Sequence, residues 1–213
     1  MNFLPESIET YSEQHTSTES ELLQALTRET WQKMVMPRMS SGHFQGRFLS
    51  AISKMIRPQR ILEIGTFTAY STWCMAEGLA EGGKLISIDV NDELARFHIK
   101  YKPLMPNGEK VDFIYGKAME VIPTLSEKFD LVFIDADKEN YIQYYEMLIE
   151  KMNIGGWILI DNVLWSGKVV EPIASNDKET QVLDQLNKLV TSDARVSNIL
   201  LPIRDGLMIL QKN

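Results

Sequence analysis

Two segments of the chain end an apolar run on oxygen-bearing side chains. FDLVFIDADK leads to Asp135, Asp137 and Lys138, and GWILIDN leads to Asp161 and Asn162. Carboxylates and a carboxamide are hard oxygen donors, a set suited to Mg²⁺ or a similar divalent ion with water and substrate completing the octahedron. With no thiolate or imidazole among them, zinc and redox metals fit poorly. The plainer alternative is that each aspartate caps the helix that follows its strand. An Asp-Asn pair beside an Asp from the adjacent strand is harder to assign to capping alone. Lys138 stands next to this group and can serve as a base for a substrate proton; on its own it would read as a solvated lysine opening a helix.

A second group follows RILEIG, where Glu63, Gly65, Thr66 and Ser71 occupy a strand-to-helix turn. Open α/β sheets bind their ligands at such turns. A dinucleotide pyrophosphate wants G-x-G-x-x-G, which lets backbone approach the phosphates, and this turn has only Gly65. That disfavours a nicotinamide-dependent oxidoreductase. Glu63 would sit awkwardly beside phosphates but suits an ammonium group, and Ser71 adds a hydroxyl. Asp89, closing KLISID, can accept hydrogen bonds from both hydroxyls of a ribose. Together they describe a nucleoside with a cationic amino-acid tail. Taken singly, Glu63 could be a helix-dipole partner and Asp89 a cap.

These residues need a scaffold that gathers several strand ends. The runs RILEIG, KLISID, VDFIY, FDLVFID and GWILID alternate with amphipathic stretches over 69–80, 91–102 and 139–152, a β/α signature. The runs are continuously apolar, as in parallel strands covered on both faces. Asn91 reads as the N-cap of its helix. Upstream, Leu22, Leu23, Leu26, Trp31 and Met34, and then Phe44, Phe48, Ile52 and Met55, recur at helical spacing, which predicts two helices covering a core. Beyond an aperiodic loop over 162–176 and a helix near 177–191, VSNILLPI and GLMILQK pair through Arg204-Asp205-Gly206 as a closing antiparallel hairpin.

With 213 residues, 44% of them apolar, the chain can bury a core without disulfide or metal staples, and the absence of repeats or linkers predicts one domain. A net charge of -7 argues against nucleic-acid binding. Cys74 is the single cysteine, and MNFLPESIETYSEQ lacks the basic and apolar run of a signal peptide, so a cytoplasmic protein is expected. The longest apolar runs are strand-sized, short of the roughly 18 residues of a membrane span. His15, His43 and His98 show no spacing for a metal or a triad, and with Cys74 they are expected to be structural. Trp165 could wall the crevice or simply anchor its loop.

From about Met39 onward the chain resembles the cation-dependent O-methyltransferase family that includes catechol O-methyltransferase and caffeoyl-coenzyme A O-methyltransferase, its bacterial members especially. The resemblance runs through RILEIGTFTAYST, LISID, FIDADKENY, DNVLWSGKV and LPIRDGL in family order and spacing. It implies an α/β, Rossmann-like class I methyltransferase fold with a seven-stranded mixed sheet in the order 3-2-1-4-5-7-6, the last strands forming the hairpin. Residues 1–58 would cover the core and acceptor site, and 59–213 would form the Rossmann-like core.

The implied donor is S-adenosylmethionine. Glu63, Gly65, Thr66 and Ser71, with backbone near Ser41, would hold its methionine portion; Asp89 would hold the ribose, Ala118 would line the adenine side, and Asp135 is a further donor-binding position. Asp135, Asp161 and Asn162 match ligands of Mg²⁺, Mn²⁺ or Ca²⁺. Lys138, the implied general base, and Asp135 match the catalytic positions. A small phenolic acceptor with catechol-like hydroxyls and a homodimer are also implied, with no nucleic-acid or membrane partner. Two departures stand out: Ala69 replaces a usual glycine, and Asp89 a glutamate found in some members. A non-catalytic nucleoside- or metal-binding protein is the alternative from a different class.

Overall fold

The structure, a computed structural model, describes residues 4–213; residues 1–3 of the expected amino-terminal region lie outside the described residues. Three helices come first: α1 (Glu6–Gln14), α2 (Glu21–Lys33) and α3 (Gly42–Ile56). The apolar spacing predicted the second and third, although Trp31 and Met55 of that spacing stay exposed and α3 buries Gln45, Gly46, Leu49, Ser50 and Ser53 more deeply than the Phe44 stripe. α1 escaped it because none of its residues is buried, so it carries no inward stripe to read. Ser20 caps α2 by accepting a hydrogen bond from the Leu23 N–H, and Leu23 and Leu26 enter the core.

The alternating part runs β1 (Arg60–Ile64), α4 (Tyr70–Ala76), β2 (Lys84–Asp89), α5 (Ala95–Tyr101), β3 (Val111–Tyr115), α6 (Ala118–Val121), β4 (Phe129–Ile134), α7 (Tyr141–Ile149), β5 (Met152–Asp161), α8 (Lys178–Ser192), β6 (Val196–Leu201) and β7 (Leu207–Lys212). They form a seven-stranded sheet in the order β3-β2-β1-β4-β5-β7-β6. β1 to β5 are parallel, and β7 runs antiparallel to both β5 and β6, so the expected hairpin and sheet are both present.

Strand side chains alternate between faces, and both faces are apolar. Leu62, Ile64, Val132 and Ile134 join a core under α7 and α8, while Ile61, Leu85, Leu131 and Phe133 join a second one that includes residues of α2 to α5. That double cover explains the continuous apolar runs.

Helix ends differ from the sequence reading. The 91–102 stretch opens with a 3-10 turn (Asp92–Leu94) capped by the Asn91 side chain before α5 begins. The 139–152 stretch overran into β5, because Met152 is a strand residue opposite Phe129 and the ladder shifts register before Leu131. Gly155 and Gly156 lie inside that irregular strand. Among the described residues no helix is long and apolar enough to cross a membrane.

Candidate active site

Sheet register decides which side chains meet. Ile64 is paired with Ile134, and Ile134 with Ile160, so the residues after β1 and β4 and the last of β5, namely Gly65, Asp135 and Asp161, stand side by side. The Asp135 N–H donates to the Ile64 carbonyl at 2.8 Å. Gly65 has φ 97°, and a Cβ there would lie 1.9 Å from the Asp135 carbonyl oxygen. No other residue fits that junction without moving backbone.

Beneath the turn lies Glu63, fully buried. Its Oε1 accepts the Ser71 hydroxyl at 2.5 Å, and its Oε2 accepts the hydroxyls of Ser87 (2.5 Å) and Thr72. Burial pushes its carboxyl up to about 7, against those three donors, with the Asp135 charge adding to the rise. Thr66 also turns downward, sharing a 2.6 Å hydrogen bond with Ser87. Asp89 closes the turn from the side: its Oδ2 accepts the N–H groups of Thr66 (3.0 Å) and Phe67 (2.7 Å), and its Oδ1 that of Asn91 (2.9 Å). Asp89 also pairs with Tyr115 across the β2–β3 ladder, which brings Ala118, at the start of α6, to the same side.

On the other side Asp161 is 4% exposed. Burial first, and the facing charge of Asp135 second, push it up to about 7. The Gln45 amide donates to its Oδ2 at 2.8 Å and the Asn162 N–H to its Oδ1 at 2.9 Å. Arg204 Nη1 donates to Gln45 Oε1 at 2.9 Å and to the Ser41 carbonyl. Arginine can only donate, so it fixes the Gln45 amide with its NH₂ toward Asp161. Asn162 adopts φ 64°, and among the described residues its side chain makes no hydrogen bond.

Lys138 is buried, and its Nζ donates to Asp135 Oδ1 (3.2 Å), the Ala136 carbonyl (2.9 Å) and the Tyr141 hydroxyl (2.6 Å). It lies 4.8 Å over the Tyr141 ring and 5.8 Å over that of Trp165, a cation–π position for both. Burial drives the Tyr141 hydroxyl well above its ordinary pKa, so it stays protonated.

Two adjacent carboxylates and a free carboxamide fit a hard divalent cation, which would also relieve the repulsion between Asp135 and Asp161. Among the described residues no three His, Cys, Asp or Glu side chains cluster to hold a metal, so the amide of Asn162 is needed to complete the set. Two surface depressions, of about 250 Å³ beside Pro58 and Asp130 and about 530 Å³ beside Ile99 and Met105, lie at the opposite ends of the strands.

The expected residues therefore lie along the ends of the adjoining strands β2, β1, β4 and β5, with Ala118 after β3, Ser41 on the Arg204 side and Glu63 out of solvent reach. Sequence reasoning missed Gln45 and Arg204. Gln45 lies on the face of α3 that is buried, with Gly46, Leu49, Ser50 and Ser53, beside the Phe44-Phe48-Ile52-Met55 stripe that apolar spacing picks out, so spacing gave no signal for it. Arg204 was read as a turn residue only.

The O-methyltransferase family matches residues 13–213. A caffeoyl-CoA O-methyltransferase of Petroselinum crispum is 33% identical over 196 residues, covering 87% of this chain and 81% of that protein. Caffeoyl-CoA O-methyltransferase 1 of Arabidopsis thaliana is 34% identical over 185 residues, covering 82% and 71%. Among solved structures, the Bacillus cereus O-methyltransferase in complex with SAH aligns with a TM-score of 0.88 at 25% identity over 97% of both chains. The SAH-bound Podospora anserina methyltransferase PaMTH1 shares the fold with a TM-score of 0.88 at 24% identity, covering 100% and 99%.

Proposed function

The chain belongs to the O-methyltransferase family, and on that premise we propose that it moves a methyl group from S-adenosylmethionine to one hydroxyl of a catechol-like pair on a small molecule, with a divalent cation held by Asp135, Asp161 and Asn162. The observation that carries this reading is the placement of two facing carboxylates, one of them pushed up to about 7, beside a strand-to-helix turn whose single glycine, Gly65, lacks the G-x-G-x-x-G pattern a pyrophosphate wants. SAH in the Bacillus cereus relative supports the donor. Family membership sets the oxidoreductase alternative aside.

When bound, the cation would polarise an acceptor hydroxyl and ease loss of its proton. The chain's own residues supply the rest. Glu63 anchors Ser71 and Thr72 from below, leaving the upper side of the turn at Gly65 for the donor's amino-acid end. Asp89 takes the ribose hydroxyls alongside the two turn N–H groups, and Ala118 lines the adenine. As the acceptor oxygen bonds to the methyl carbon, the carbon–sulfur bond breaks and S-adenosylhomocysteine leaves. Lys138 Nζ is the atom that receives the acceptor's proton: it does so as the free amine, which has two hydrogens and a lone pair, and so returns to the ammonium form that Asp135, Ala136 and Tyr141 hold in the resting structure. Alignment of both reactants contributes much of the acceleration. A homodimer in the cytoplasm belongs to the same reading.

The test is methyl transfer from labelled S-adenosylmethionine to a panel of catechols and caffeoyl esters, with Mg²⁺ or with excess EDTA. Monomethylated product with Mg²⁺ and its loss in EDTA are expected. Full turnover in EDTA overturns the cation, and failure to bind S-adenosylhomocysteine overturns the donor.

A further inference from the structure

His98, on α5, is only 1% exposed and carries none of the chemistry described so far. Both of its ring nitrogens are engaged. Nε2 lies 2.8 Å from the Phe67 carbonyl oxygen in the turn after β1, and Nδ1 lies 2.8 Å from the Tyr115 hydroxyl at the end of β3. The ring is stacked on Phe113 at 4.3 Å and 11°, which fixes its plane.

The partners assign the tautomer. A carbonyl oxygen only accepts, so Nε2 carries a hydrogen; burial lowers the imidazole's pKa, so the ring is neutral and Nδ1 accepts from the Tyr115 O–H. Tyr115 keeps that hydrogen, because burial and the charges of Asp89 and Asp92 raise its pKa.

Phe67 is what this arrangement holds. It sits at φ 49°, a left-handed conformation that is a costly outlier for a bulky side chain and persists only when its surroundings impose it. Its peptide groups are gripped from two directions: the N–H by Asp89 at 2.7 Å and the C=O by His98. Asp89 is also the proposed ribose ligand, so a bound donor shares the carboxylate that restrains Phe67, and the grip of His98 has to keep the turn in shape.

We infer that His98 is a positioning residue for donor binding: its Nε2–H holds the Phe67 carbonyl in the strained turn, and the Tyr115 hydroxyl locks the tautomer that makes this possible. The inference rests on the donor reading above and adds to it a residue that touches neither donor nor acceptor.

Calorimetric titration with S-adenosylhomocysteine tests it on the wild type, His98→Leu, His98→Gln and Tyr115→Phe, alongside initial rates and long-range ¹H–¹⁵N spectra of the imidazole. His98→Leu should weaken binding on the order of tenfold, as expected for one lost buried hydrogen bond, with kcat at saturating donor little changed. His98→Gln, whose amide nitrogen reaches about as far as Nε2, should recover most of the affinity. The wild-type spectrum should show hydrogen on Nε2, and Tyr115→Phe, at a half-exposed position, should mix the tautomers and weaken binding less than His98→Leu.

Unchanged affinity in His98→Leu with a lowered melting temperature would show a merely structural role and overturn the inference. Should that variant not fold, unchanged affinity and tautomer in Tyr115→Phe overturn it, as does hydrogen on Nδ1 in the wild type. A wild type that binds no S-adenosylhomocysteine removes the donor reading itself, a failure visible before any variant is made.

Discussion

At the amino-terminal ends of the parallel strands, Asp130 accepts hydrogen bonds from the N–H groups of Gln59 (2.8 Å) and Arg60 (3.0 Å) and from the Asn153 amide (2.7 Å). Left-handed non-glycine residues there are Arg57 and Asn107, both at helix caps. At the carboxyl-terminal ends, Glu63 and Asp161 are buried and pushed up to about 7, and Phe67, Ala69, Asn162, Trp165, Ser166 and Arg204 all have φ between 47° and 72°. One end of the sheet satisfies its charges and relaxes its backbone; the other accumulates confined carboxylates and strain. Strain and confined charge of this kind concentrate where a protein acts, and the contrast favours the carboxyl-terminal ends as the candidate site.

The sharpest test pairs an aspartate from each end. Asp161→Asn keeps the shape and still offers an oxygen to Gln45, but it removes a carboxylate from beside Asp135. Transfer should fall by more than the roughly 10–100-fold typical of losing an outer partner of a metal site, while the melting temperature at pH 8 holds or rises. Asp130→Asn should do the reverse, losing about 1–3 kcal/mol through mispaired backbone donors with the folded enzyme's rate nearly unchanged. Thermal melts and methyl-transfer rates on both variants check this, and parallel losses in both would erase the contrast.

Next in size is a pH effect confined to the carboxyl-terminal ends. The folded-state pKa of Glu63 lies above its ordinary 4.5, at about 7, so the fold prefers the protonated form. The stabilisation it gives is full below pH about 4.5 and is lost as pH rises through about 7. Wild-type melting temperature should therefore decline from pH 5 to pH 8 relative to Glu63→Gln, which has nothing to titrate. Parallel melting curves for the two proteins would show that Glu63 is not the confined group described above.

Much of the candidate site's placement was legible because its residues sit at strand ends, where β/α periodicity announces position: Asp135, Asp161, Asn162, Gly65 and Asp89 all follow an apolar run. The sheet order came with the family resemblance, since periodicity carries no register. Gln45 and Arg204 were not legible because their roles depend on α3 and the β6–β7 turn meeting over Asp161, a contact between positions 159 apart in sequence. His98 was hidden for the same reason: a histidine facing inward from a helix reads as core until the turn it touches is placed. The hydroxyls of Ser71, Thr72 and Ser87 that meet Glu63 come from two other elements and were not legible beside it, and the 139–152 helix ran long because the irregular ladder at Met152 has no signature in apolar spacing.

The smallest expected effect concerns Ala69, where the family usually has glycine. Its φ of 72° and ψ of 22° are left-handed, which costs a residue with a Cβ about 1–2 kcal/mol. Ala69→Gly relieves that cost, but glycine loses about 0.5–1 kcal/mol more in chain entropy on folding, and the methyl group given up is fully buried and contributes about 0.8 kcal/mol. The opposing contributions nearly cancel, so stability should move by less than about 1 kcal/mol. Donor affinity should hold, since the Ala69 N–H still bonds the Thr66 carbonyl at 2.8 Å. Four residues earlier the same exchange in reverse, Gly65→Ala, drives a methyl into the Asp135 carbonyl and should cost both folding and activity. Thermal melts of the two variants separate a glycine demanded by close approach from one merely favoured by backbone angle. A gain above about 2 kcal/mol in Ala69→Gly would mean that strain outweighs packing throughout the turn, and that the alanine persists there at a net cost to the fold.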